Sequence, residues 1–229
     1  MFQDLFFNKN LILFCFQITF IALGNCFCIK KGLEWVTGWL ILLVILMNLF
    51  IIKRIYLFGL EITACDAFVI GFLSCLNMVR EFYDIESARK ITKISLIIPL
   101  GFLFFSILHL MFIPSDTDCS QEKYSFLLLP SLRTTIASLG TFFLIQFFDI
   151  KIFSFLTKSW KRKYFNARSA LSLLSSQILD TIIFSYMGLY GLVPNVWSLI
   201  IVGILAKGIA VLIGSSLSSV LLHIQPIKK

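Results

Sequence analysis

The chain has 229 residues, of which 59% are hydrophobic and only 14% charged, and its mean hydropathy is +0.93. A soluble domain carries about 25% charged residues, and a monomer in water cannot expose this much apolar surface. Lipid is therefore the consistent solvent, and a soluble globular fold is excluded. The net charge of +8 does not imply nucleic acid, because the basic residues stand at the ends of apolar runs, where membrane topology puts them.

Seven apolar runs follow in chain order, at roughly 10–29, 36–52, 60–79, 91–113, 127–149, 167–190 and 197–222. At about 20 residues per span they use most of the chain. The expected fold is an all-α polytopic membrane protein of about seven transmembrane helices, or six if one run is re-entrant. Residues 1–229 are read as one membrane-embedded transporter domain with no soluble domain. The first run lacks an early basic cluster and a small-residue cleavage site, so it reads as retained. The second is the shortest, and the third, which carries Glu61 and Asp66, is the least regular. Pro114, Pro130 and Pro194 fall at run ends, and Pro99 inside the fourth is a candidate kink.

Orientation follows from the Lys and Arg residues. In a seven-span path, one side of the membrane receives Lys30, Lys31, Arg80, Arg89, Lys90, Lys93, Lys151, Lys158, Lys161, Arg162, Lys163, Arg168, Lys228 and Lys229. The other receives Lys9, Lys53, Arg54 and Lys123. Fourteen against four puts the first set in the cytoplasm, with the N-terminus outside and the C-terminus inside. The polar, acidic connection 114–126 suits an outer loop. Trp35, Trp39, Trp160 and Trp197 lie close to run ends, as interfacial belts do. Cys15, Cys26, Cys28, Cys65 and Cys75 lie in or beside apolar runs and read as core thiols, with Cys119 in a loop. No Cys/His spacing suits a metal, and no cofactor is expected.

Ionisable groups inside a bilayer cost at least about 2.5–3.5 kcal/mol each, so they should face the bundle and find partners. In the sixth run Gln177 and Asp180 share a helix face. Lys207 in the seventh lies at a similar depth, which makes an Asp180–Lys207 pair the natural expectation, either as a structural ion pair or as one exchanged for substrate. In the fifth run Gln146 and Asp149 repeat the spacing at the cytoplasmic end. Thr135, Ser138, Gln146 and Asp149 fall within an arc of roughly 80°, a stripe fit to line a cavity, although Asp149 also reads as an ordinary helix-end residue. Arg133 lies near the outer end on another face, free to snorkel or to reach the bundle. Asn77, Glu81 and Arg89 close the third run and the loop after it, where a solvated cap is the plainer reading of Glu81 and Arg89. His109 and His223 lie near helix ends and read as interface residues. A Gln-x-x-Asp pair can meet the N–H and NH₂ edge of a guanine-type ring with its carboxylate and the ring's carbonyl with its amide; the 25 Phe residues offer stacking.

Arg133-Thr-Thr-Ile-Ala137-Ser138, Gln146-x-x-Asp149, Ser176-Gln177-x-x-Asp180-Thr181-x-x-Phe184 and Lys207 together resemble the YhhQ-type queuosine precursor transporters, also called vitamin uptake transporters. Arg80-Glu81-Phe82-Tyr83 with Ala88-Arg89-Lys90 is similar to that family's Asp-x-x-x-Glu-x-Tyr-Gly…Ala-Arg segment. The resemblance spans roughly residues 48–222, with two departures: the family's Asp is Asn77 here and its Gly is Asp84. It implies import of a 7-deazaguanine base or queuine into the cytoplasm for tRNA modification, across the inner membrane of a bacterium. It also implies a substrate site drawn from Gln146, Asp149, Gln177, Asp180, Arg133, Lys207, Ser138, Asn77 and Glu81. The expected partners are that small-molecule substrate and the lipid bilayer, with no nucleic acid; oligomeric state is open. Enzymatic activity is not expected, since no hydrolase or zinc motif appears. The alternative is a substrate-binding membrane subunit that depends on a separate ATPase, since the chain has no phosphate-binding GxxxxGK[ST] loop.

Overall fold

The computed structural model describes residues 2–50, 53–57, 60–63, 65–128, 132–160, 164–190, 196–197, 200–201, 203–205, 207–208 and 211. The side chains of 2–8, 57, 60–63, 132–136, 138–139, 166 and 189 are not described. Helices α1 (Phe2–Lys31) and α2 (Leu33–Leu49) are followed by a hairpin of β1 (Arg54–Leu57) and β2 (Leu60–Thr63). Then come α3 (Asp66–Phe82), α4 (Ile85–Leu110), the short α5 (Gln121–Leu128), α6 (Leu132–Ser159) and α7 (Phe165–Phe184), which widens into a π-helical turn over Ser185–Leu189. The described residues between 196 and 211 are all helical.

Among the described residues four helical stretches are long and apolar enough to cross a membrane: Lys9–Lys31, Ile85–Leu110, Gly140–Ser159 and Ala167–Gly188. Helix α2 is apolar and shorter. The protein is a polytopic, almost wholly helical membrane protein. Its outward faces carry Phe16, Phe20, Phe104, Phe105, Phe143 and Phe155 in exposed positions, a surface suited to acyl chains.

Helix α3 is the axis of the bundle. Every residue from Asp66 to Arg80 is buried, and α1, α2, α4, α6 and α7 all pack against it. The largest apolar cluster joins it to α1, α2 and α4 through Ile21, Ile29, Leu40, Leu43, Leu73 and Ala88. Gly71 lets α1 approach closely: a Cβ there would come within 2.2 Å of Ile21 Cγ2. The Gly71 carbonyl accepts from Asn25 Nδ2 at 3.0 Å, and Asn25 Oδ1 accepts from Trp39 Nε1 at 2.8 Å, so one amide ties α1, α2 and α3 together. Trp39, expected at an interface, is thus a packing residue.

Two boundaries depart from the sequence expectation. The third apolar run starts as the hairpin, with Arg54 paired to Thr63 and Leu57 to Leu60; β-branched residues suit a strand as well as a buried helix, and composition does not separate them. The fifth run extends to Ser159, so Asp149 lies inside α6 and is not a helix-end residue. Pro99 sits inside α4, as its place within the fourth apolar run led one to expect. Asp84 accounts for one departure from the family pattern: it is the N-cap of α4, accepting from Ser87 N at 2.6 Å and Ser87 Oγ at 2.7 Å. These bonds hold its carboxyl below the ordinary value. Of the cysteines, Cys26, Cys28, Cys65 and Cys75 are buried, Cys15 is half-buried and Cys119 is exposed; His109 is exposed at the end of α4.

Candidate functional site

The polar interior is built where α3 faces α6, α7 and the last helical segment. Asp149 on α6 is fully buried. Its Oδ2 accepts from Arg80 Nη1 at 2.5 Å. Its Oδ1 accepts from Ser172 Oγ at 2.6 Å and Ser176 Oγ at 3.1 Å. Ser169, Ser172 and Ser176 fall on one face of α7 by their spacing, and Ser169 Oγ accepts from Asn77 Nδ2 at 3.3 Å. Asn77 Oδ1 in turn accepts from Arg80 Nη1 at 2.6 Å. Both protons of Arg80 Nη1 are therefore taken, and both Asp149 oxygens are occupied.

A second ion pair lies beside the first. Arg168 Nη2 donates to Glu81 Oε2 at 3.0 Å, and Arg168 Nη1 to Thr157 Oγ1 at 2.7 Å. The ring of Phe153 lies 5.7 Å from the Arg80 guanidinium and 5.4 Å from that of Arg168, within cation–π range of both. Glu81 is thus an ion-pair partner, not a solvated cap, while Arg89 is exposed. Arg80 and Arg168, counted above as loop charges, are buried inside the bundle. Removing them leaves twelve basic residues against four, which keeps the asymmetry.

The third cluster lies further along α7. Lys207 Nζ donates to Asp180 Oδ2 at 2.6 Å and stands 3.8 Å from Asp66 Oδ1, in the first turn of α3. The equal-depth argument for Asp180 and Lys207 thus corresponds to a direct contact, with Asp66 as an additional neighbour.

Between these clusters sit the two carboxamides singled out by their spacing. Gln146 is one turn from Asp149 on α6, and Gln177 lies between Ser176 and Asp180 on α7. Both are 2% exposed. Among the described residues neither Oε1 nor Nε2 of either side chain has a hydrogen-bond partner, and the same holds for Arg80 Nε and Nη2 and for Thr141 Oγ1. A buried polar group left unmatched costs about 1–3 kcal/mol, and native interiors hold few of them. Several such groups in one interior leave hydrogen-bonding capacity that the described side chains do not satisfy. Arg133 and Ser138 lie on α6, but their side chains are outside the described residues, as is that of Glu61.

Sequence reasoning missed Arg80, Arg168, Ser169 and Ser172 as members of this interior. The serine stripe at helical spacing was the available signal. Among the described residues no cluster of His, Cys, Asp and Glu could hold a metal.

Comparison with known proteins bears on what such an interior is for. The "Probable queuosine precursor transporter" of Bacillus subtilis (strain 168) is 27% identical over 165 residues, covering 69% of this chain and 70% of the relative. No solved structure gives a match. A family model described as "Putative vitamin uptake transporter" matches residues 63–220, a region that runs from the end of β2 through all three ion-pair clusters, and the chain belongs to that family.

Proposed function

We propose that this protein imports a queuosine precursor, a 7-deazaguanine base or queuine, across the bacterial cytoplasmic membrane for use in tRNA modification. The observation that carries the reading is the pair of buried, unpartnered carboxamides Gln146 and Gln177 between charged clusters. Each offers one acceptor and two donors, which suits the mixed donor and acceptor edges of such a base. The Bacillus relative bears the name of that transport activity. Asp149 supports the site by fixing Arg80, Ser172 and Ser176, and Asp180 with Lys207 bounds it on the other side. Residues 1–229 act as one membrane-embedded unit, with the N-terminus outside and the C-terminus in the cytoplasm, the orientation that the basic residues favour.

The test uses a strain unable to make the precursor, supplied with this chain and the labelled base, with queuosine in tRNA as the readout. Uptake is expected, and Gln177→Ala and Asp180→Asn should each lower it by about tenfold or more, the worth of one or two lost hydrogen bonds, at unchanged membrane abundance. Uptake unaffected by both changes would remove the site assignment. Purified protein alone in liposomes should equilibrate the base; a strict need for a separate ATPase would replace the carrier by a binding subunit.

A further inference from the structure

Helices α1 and α2 leave an open groove between them, outside the residues 63–220 that match the family. Its volume is about 710 Å³, and Phe20, Gly24 and Phe27 of α1 with Glu34, Gly38 and Leu42 of α2 line it. Two glycines shape it. At Gly24 a Cβ would come within 2.4 Å of the Trp39 ring, so its absence lets that ring form part of the lining. At Gly38 a Cβ would meet nothing within 4 Å, so the space over that turn of α2 is open.

The groove has one polar end. The membrane-crossing stretch of α1 ends at Lys31, and α2 begins at Leu33. Lys31 is exposed, and its Nζ stands 5.6 Å from the centroid of the Phe27 ring. Glu34 is exposed too and lines the groove itself. Among the described residues neither Lys31 nor Glu34 is held in a salt bridge. Trp35, 55% exposed and edge-on to Phe27 at 5.7 Å, stands beside them as an interfacial indole does. From Phe20 to Lys31 is eleven residues, about 16 Å of helix. That is close to half of the ~30 Å hydrocarbon core. The groove is therefore apolar over the depth of one leaflet and charged only where headgroups lie.

This form matches one phospholipid molecule, with an acyl chain along the apolar trough and the phosphate at Lys31. Glu34 then decides among headgroups. A primary ammonium donates hydrogen bonds to a carboxylate. A trimethylammonium has no N–H to donate, and a glycerol headgroup leaves the negative phosphate beside Glu34 with no cation of its own. We propose that the groove between α1 and α2 is a binding site for a phospholipid with an ethanolamine headgroup, its phosphate on Lys31, its ammonium on Glu34 and one chain over Gly24 and Gly38.

The experiment is native mass spectrometry of the purified full chain with equal amounts of phosphatidylethanolamine, phosphatidylcholine and phosphatidylglycerol of identical acyl chains. The ethanolamine lipid should be retained about threefold or more over each of the others, the worth of one exposed charge pair. It should also raise the melting temperature in detergent, as a ligand of the folded state does. Glu34→Gln should bring the ethanolamine-to-choline ratio to about one. Gly38→Phe fills the groove at a position where an added Cβ meets no neighbour; it should lose retention of all three lipids while melting within about 2 °C of the lipid-free parent. Equal retention of the three lipids by the unaltered protein, or a preference for the choline or glycerol headgroup, overturns the proposal even if a variant fails to accumulate. Unchanged retention in Gly38→Phe overturns it as well. A dimer that retains no lipid and is lost in Gly38→Phe would give the groove to a second copy of the chain and overturn the proposal too.

Discussion

The Arg80–Asp149 pair makes a sharp prediction about stability. Replacing Asp149 by Asn preserves size but removes the charge that balances a fully buried guanidinium. The carboxylate accepts from Arg80 at 2.5 Å, Ser172 at 2.6 Å and Ser176 at 3.1 Å; the amide has one acceptor oxygen for these three donors. Breaking a buried pair from one side costs about 3–5 kcal/mol, since it leaves an uncompensated buried charge. In a chain of this size each kcal/mol moves the melting temperature by about 2–4 °C, so Asp149→Asn should melt on the order of 10 °C lower in detergent. Removing both charges is much cheaper than removing one. The double variant Arg80→Met/Asp149→Asn should therefore recover about half of the loss or more, while uptake stays low. Melting followed by retention of the monodisperse species on size-exclusion chromatography reads this directly. An Asp149→Asn melting point within about 2 °C of the parent, or a double variant whose loss is the sum of the singles, would refute the argument that the pair is coupled.

Two further outcomes follow from the packing. Gly71→Ala should destabilise by about 1–3 kcal/mol, because the added Cβ would meet Ile21 Cγ2 at 2.2 Å; the double variant with Ile21→Ala should recover part of it in the same melting assay, and a neutral Gly71→Ala would show that α1 can shift freely. Lys207→Met leaves Asp180 and Asp66 facing each other without the ammonium between them. Its membrane abundance should fall and be partly restored by Asp180→Asn, and an abundance equal to the parent's would show that Lys207 is dispensable for folding.

The membrane class was legible from composition, and the family from the pattern Arg133…Ser138…Gln146-x-x-Asp149…Gln177-x-x-Asp180…Lys207. Counting residues along two antiparallel helices was enough to bring Asp180 to Lys207. Arg80 and Arg168 were not legible in the same way. A basic residue at the end of an apolar run has one sequence signature whether it faces headgroups or turns inward to a carboxylate, and only packing decides. The reach of α6 was misread for a related reason: Lys151 looks like a boundary, yet its ammonium lies 4.1 Å from the Phe147 ring centroid on the exposed face, while Phe153 behind it is 2% exposed and continues the buried face.

Helix α3 is bordered by two unlike materials. Towards α1, α2 and α4 it is sealed by aliphatic and aromatic side chains, and parting that surface costs free energy in proportion to its area, at about 25 cal/mol per Å² in water. Towards α6, α7 and the last segment apolar contacts, Phe72 with Phe142 at 5.0 Å and Phe82 with Phe165 at 6.0 Å, alternate with the ion pairs Arg80–Asp149, Glu81–Arg168 and Asp66–Lys207. One flank of α3 therefore holds no charge, and the other gathers Asp66, Arg80 and Glu81 of α3 with Asp149, Arg168, Asp180 and Lys207 from its neighbours, so any charged or polar cargo passing through the bundle meets its only ionic partners among the described residues on that side.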